Sequence, residues 1–144
     1  MRCLLLIAPL FVLAACDNTQ TKPVVINPTS CNIESPANKA ELTANAEIQV
    51  AGWFFDKFTA SAKEGVRVQF ASADRKTIKA VAVASLTPRS DVADAFKDPL
   101  AEKSGVIAKF SQNELAPGTY DVSIIRETDQ TITVCANSHT ITVK

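Results

Sequence analysis

The chain has 144 residues, with 15 lysines and arginines balanced by 15 aspartates and glutamates, and a single histidine. That balance offers no basic excess to a phosphate backbone and no charge run to make a solvated tail, so nucleic acid is not an expected partner. The length suits one domain with a real core, and no internal repeat or low-complexity tract divides it.

The first element is an apolar run from Leu4 to Ala15, preceded by Arg2 and closed by Ala14 and Ala15 just before Cys16. A bilayer-crossing helix needs about 20 apolar residues, and this run falls short. A positive start, an apolar middle and a small-residue end make a secretory signal. Leu13-Ala14-Ala15-Cys16 resembles the lipobox of bacterial lipoproteins. The resemblance implies loss of residues 1–15 as a lipoprotein signal peptide and a lipid, palmitate among its acyl chains, on Cys16. It also implies a membrane lipoprotein facing the periplasm; the plainer alternative is an ordinary signal peptide with an unrelated cysteine. Two or three acyl chains hold a protein stably where one holds it only marginally. Asp17 resembles the inner-membrane retention signal of enterobacterial lipoproteins, and the outer membrane stays open. With Arg2 removed, the mature chain carries a net charge of minus one.

Residues 16–30 are expected to be the lipidated cysteine and a flexible tether, polar and broken by Pro23 and Pro28. The fourteen residues 17–30 reach at most about 50 Å. Val24, Val25 and Ile26 leave open a short edge strand within it.

From Cys31 onward the pattern has period two. Ile48, Val50 and Phe54 share a parity, with Gly52 between them; Val66, Val68 and Phe70 alternate with Arg67 and Gln69. Ile78, Ala80, Ala82 and Ala84 alternate with Lys79, Val81 and Val83, and Val106, Ala108 and Phe110 surround Lys109. Tyr120, Val122 and Ile124 follow a Pro117-Gly118 turn; Ile132 and Val134, then Ile141 and Val143, complete the set. Such alternation marks half-buried strands. About seven of them separated by polar turns predict an all-β sandwich over residues 31–144.

Residues 88–105 break the period. Val92 and Phe96 are four apart, Asp91 is placed to cap a short helical turn, and Pro99 to end it. This predicts a loop with one helical turn crossing over a sandwich edge.

Of the four cysteines, Cys3 leaves with the signal and Cys16 takes lipid, so Cys31 and Cys135 remain. In an oxidising compartment such a pair is expected to be a disulfide, the alternative being two buried thiols. Two cysteines and the distant His139 make a poor zinc set.

Several short motifs run in order through the domain. Gly52, Trp53 and Asp56 form G-W-x-x-D; Arg89, Asp91, Val92 and Phe96 form R-x-D-V-x-x-x-F. Gly105-Val106 follows, and then Leu115, Gly118 and Tyr120. This succession resembles bacterial immunoglobulin-like modules of envelope and cell-surface proteins. The resemblance implies a fold and a stable core, and no shared activity. Those modules commonly lack cysteines. The parity of Cys135, opposite to Ile132 and Val134, predicts a peripheral staple rather than a bond through the core.

The signatures of an enzyme are missing. There is no phosphate-binding loop, no dinucleotide fingerprint and no G-x-S-x-G elbow. His139 sits on a strand pattern and is expected at the surface. Asp91, Asp94, Asp98 and Glu102 spread their carboxylates along a loop without a D-x-D-x-D run, so a solvated face is expected there rather than calcium; no metal or cofactor is called for. Arg89 is expected to tie the crossing loop to a strand. Trp53 and Phe55 point away from the Ile48–Val50 layer. Either the crossing loop covers them, which is the expectation, or they form a candidate binding patch. The resulting expectation is a membrane-anchored, non-catalytic interaction or accessory module whose partners are the membrane and another envelope protein. A carbohydrate- or peptidoglycan-binding module is the alternative, and an envelope enzyme stands further off.

Overall fold

The computed structural model describes residues 22–27, 30–56, 65–135 and 137–144. The signal run, Cys3, Cys16 and Asp17 lie outside the described residues.

The described chain forms eleven strands and one α-helix. The strands are β1 (Val24–Asn27), β2 (Cys31–Ser35), β3 (Ala40–Leu42), β4 (Ile48–Phe54), β5 (Val66–Ser72), β6 (Ile78–Val83) and β7 (Ser85–Thr87), then β8 (Gly105–Phe110), β9 (Gly118–Glu127), β10 (Ile132–Cys135) and β11 (His139–Val143). Helix α1 (Ser90–Phe96) and a 3-10 turn (Pro99–Lys103) lie between β7 and β8. The seven alternating runs of the sequence became β4, β5, β6, β8, β9, β10 and β11. The four further strands are only three to five residues long. Runs that short carry too few alternations to reveal a period. β1 is the edge strand left open within the tether.

Strands pair into a four-stranded sheet, β2-β4-β8-β7, and a seven-stranded sheet centred on β9. β9 pairs with β5 along one side, and β5 carries the edge strand β6. The other side of β9 is shared: Gly118–Val122 pair with β11, and Ile125–Glu127 with β10. β1 adds in parallel beside β10, and β3 in parallel beside β11.

The core lies between the sheets. Val50, Phe54, Val106 and Phe110 from one sheet meet Val68, Phe70, Val122, Ile124 and Ile141 from the other, all essentially inaccessible to water. Phe70 and Phe110 pack edge to face across the gap at 4.5 Å. Burial of each such side chain contributes about 1.5–3 kcal/mol. Tyr120 borders this layer, and its hydroxyl donates to the Ala116 carbonyl at 2.5 Å. A tyrosine bonded back to its own corner at the start of a late strand is a mark of immunoglobulin-like sandwiches. The chain is an all-β, immunoglobulin-like sandwich with one short helix.

Three expectations are corrected. In β10, Thr133 and Cys135 face inward while Ile132 and Val134 lie on the outer face, half-buried. Apolar character misled here because the outer face, where β10 runs beside the apolar edge strand β1, is itself lined with apolar residues. As a result the Cys31–Cys135 disulfide is not peripheral: its cysteines are 5% and 2% exposed, and it joins β2 of one sheet to β10 of the other inside the core. Its Cα atoms are 5.8 Å apart. His139 is buried rather than at the surface, its Nε2 donating to the Pro36 carbonyl at 2.8 Å. A carbonyl can only accept, so the proton sits on Nε2.

Candidate functional site

Three surface features are candidates: the crossing segment on the four-stranded sheet, the aromatic group beneath it, and the outer face of the larger sheet.

The crossing segment is laid flat by Gly105. A Cβ there would overlap the side chain and carbonyl of Thr87, its strand partner, and crowd Cγ of Arg89. Gly52 serves a similar purpose toward β2, since a Cβ would run into the backbone of Asn32 and Ile33. The two ends of the segment meet through the Arg89 N–H, which donates to the Glu102 carbonyl at 2.7 Å. The Arg89 guanidinium makes a fork with Glu34 of β2 (2.9 Å to each oxygen) and a second with Asp91 (2.6 and 2.8 Å). Arg89 therefore ties the loop to a strand, as its position in the sequence suggested. It holds the Asp91 carboxyl down at about 2, and Asp91 and then Glu34 raise the guanidinium's own affinity for its proton. Asp91 does not cap the helix. Arg89 occupies the N-cap position without a side-chain cap bond, and Asp91 lies in the first turn. The helix stops at Lys97, in the left-handed conformation, before Pro99 is reached. Pro99 instead opens the 3-10 turn, which Asp98 caps by accepting from the Leu100 N–H at 3.0 Å.

Beneath the segment, Phe55, Val92 and Ala101 form a second buried cluster, with Trp53 and Ala93 packed against it. Phe96 closes it from above, its ring 5.7 Å from Trp53 and 5.2 Å from Phe55. The loop covers Trp53 and Phe55, so they do not form an open patch. The cover is partial: Trp53 is half-buried and Phe96 is 39% exposed. Leu100 is exposed, and Ala101 is the buried residue of the 3-10 turn.

The outer face of the seven-stranded sheet carries a different surface. Register places Ile26, Val134, Ile125, Arg67 and Val83 in one row across five strands. The next row holds Val24, Ile132 and Glu127. Val24 and Ile26 are each 60% exposed. Glu127 takes Lys22 at 2.9 Å and also Arg67, and these two, Lys22 first, hold its carboxyl below the usual range. Further along, Arg75 lies over the buried Asp121 carboxylate at 2.8 Å.

The motif residues are thus placed in framework roles. Gly52 and Gly105 permit close approach, Tyr120 locks a corner, Val92 is buried, Gly118 begins β9, and Asp56 is half-buried just after β4. Asp91, Asp94, Asp98 and Glu102 do not converge, and among the described residues no group of three or more histidines, cysteines or acids could hold a metal. Sequence reasoning missed Glu34 as the partner of Arg89, the Arg126 guanidinium 5.3 Å above the Phe54 ring, and the outer apolar face. An alternation read only for inward residues gave no signal for that face.

No family model matches the sequence, and no curated protein matches it. Among solved structures the chain is similar to the fibronectin(III)-like modules of Clostridium thermocellum CbhA, at 18% identity and a TM-score of 0.42, over 79% of this chain and 45% of that one. The chain spans less than half the length of that structure. The sandwich assignment stands on the strand pairing itself.

Proposed function

We propose that the chain is a membrane-anchored, non-catalytic lipoprotein, serving on the periplasmic side of the bacterial envelope as an interaction or accessory module. The observation that carries the anchor is the Leu13-Ala14-Ala15-Cys16 sequence closing the apolar run. The described residues support the non-catalytic half. Arg89, Asp121, Glu127 and His139 are each engaged by structural partners. No helix among the described residues is long and apolar enough to cross a membrane.

Cys16→Ser tests it. Wild type takes up a palmitate analogue and fractionates with membranes, while the variant does neither. Label retained in the variant, or absent from wild type, overturns the anchor. Co-purification after membrane solubilisation reads the accessory role, with retention of envelope proteins as the expected result. Retention by peptidoglycan alone would assign the module to carbohydrate instead.

A further inference from the structure

We infer that the apolar face made by β1 and β10 rests on the surface of the membrane that holds the anchor; this deepens the anchored reading and depends on it. Four apolar side chains form a block there. Val24 is paired with Ile132 and Ile26 with Val134, and partners in a parallel pair project from the same side of the sheet. Val24 and Ile26 are each 60% exposed, and Val25 of the same edge strand is 46% exposed. An edge strand ordinarily carries charge or proline to discourage contact, and β1 carries neither.

The chain leading to this face says what meets it. The described chain starts at Lys22, and Pro23 is fixed by its carbonyl, which accepts from the Ile132 N–H at 3.0 Å. Only residues 17–21 separate Lys22 from Cys16. Eight residue steps lead from Cys16 to Val24 and reach at most about 28 Å, so the lipidated cysteine lies within that distance of the start of β1. Among the described residues, Val24, Val25 and Ile26 are the exposed apolar side chains nearest to the anchor along the chain. Leu100, 51% exposed, lies instead on the crossing segment over the other sheet.

A patch of four side chains is too small to hold a protein on a membrane alone. Tethered, it does not need to. The anchor makes the encounter intramolecular, at an effective concentration in the millimolar range for a short flexible linker, and a weak apolar contact then suffices to fix orientation. The occupant is accordingly the interfacial zone of the bilayer, entered by Val24 and Ile26.

The experiment uses the lipidated mature chain purified from membranes, with Trp53→Phe to silence the native indole. Ile26→Trp in this background is reconstituted into phosphatidylethanolamine–phosphatidylglycerol vesicles with brominated acyl chains; Leu100→Trp is the control, and Val24→Trp serves if Ile26→Trp misfolds. The indole at position 26 is expected to shift to the blue and lose most of its emission to the brominated lipid, while that at position 100 keeps its own. Equal emission at the two positions overturns the inference, as does shielding at position 26 that appears only when solubilised envelope protein is added. Palmitate label on the chain without quenching at position 26 defeats this inference alone. Absence of that label defeats the anchored reading and this inference together.

Discussion

The sandwich interior and the cluster under the crossing segment draw on one run of aromatics, Trp53-Phe54-Phe55, and use it very differently. Phe54 enters a closed space between two sheets and loses all contact with water. Trp53 and Phe55 face the other way, onto the outside of the four-stranded sheet, where, among the described residues, a loop of helix and 3-10 turn is their roof. A second sheet supplies rows of branched side chains and a rigid ladder; a loop supplies Val92, Ala101 and a half-exposed Phe96. Alternation therefore decides which side a residue faces. What lies opposite decides how much its burial is worth.

The largest test of that contrast is the disulfide that crosses the interior. Its cysteines are 104 positions apart, and for a loop near that size the chain-entropy model gives about 4.7 kcal/mol. Cys31→Ala with Cys135→Ala should lower the urea midpoint accordingly, with no change when the roof residues are intact or altered. Phe54→Ala comes next, at about 4 kcal/mol, because a fully enclosed ring leaves a cavity. Across the sheet, Trp53→Ala should cost about 2 kcal/mol and Phe96→Ala about 1 kcal/mol, since water already reaches both rings and the roof can settle. Equal losses for Phe54→Ala and Phe96→Ala in chemical denaturation would erase the distinction between the clusters.

Ser104→Ala should have the opposite sign. Ser104 is buried where the segment rejoins the sheet, and its hydroxyl has no hydrogen-bond partner among the described residues. Removing an unsatisfied hydroxyl recovers its desolvation penalty, so thermal unfolding should show a gain of about 1 kcal/mol.

The smallest effect concerns pH. Arg89 holds the Asp91 carboxyl at about 2, below the roughly 3.9 of an unperturbed aspartate. A lowered folded value means the pair's contribution is complete above the unfolded value and is lost as pH falls through the folded one. The crossing segment should therefore loosen between about pH 4 and pH 2. Amide exchange over residues 90–96 is the readout, and Arg89→Gln should abolish the pH dependence.

Strands β4, β5 and β8 were legible because each has one face on the core and one in water. The parity of β10 was not, since Ile132 and Val134 are apolar yet face outward beside β1. No window of local sequence contains that neighbour. The same holds for His139 and Arg126, whose partners Pro36 and Phe54 lie far away along the chain. Arg89 was legible as a tie because a cation beside an acid on a crossing loop has few other uses. Its strand partner Glu34 was hidden, lying in a five-residue strand with too few alternations to be read.

The way the two ends of the chain interleave bears on how the protein comes into being. β2 can pair with β4 as soon as both have emerged. β1 and β3 have no ladder to join until β10 and β11 are made, and His139 meets Pro36, and Asn137 the Cys31 carbonyl, across more than 100 residues. A chain synthesised or threaded amino end first thus carries its opening strands unpaired for almost its whole emergence. Long-range pairing of this kind is slow and leaves unpaired strand edges exposed to other chains in the meantime. The newborn protein accordingly has a vulnerable interval that ends only with its last strand, and a holding chaperone would act before β11 rather than after it.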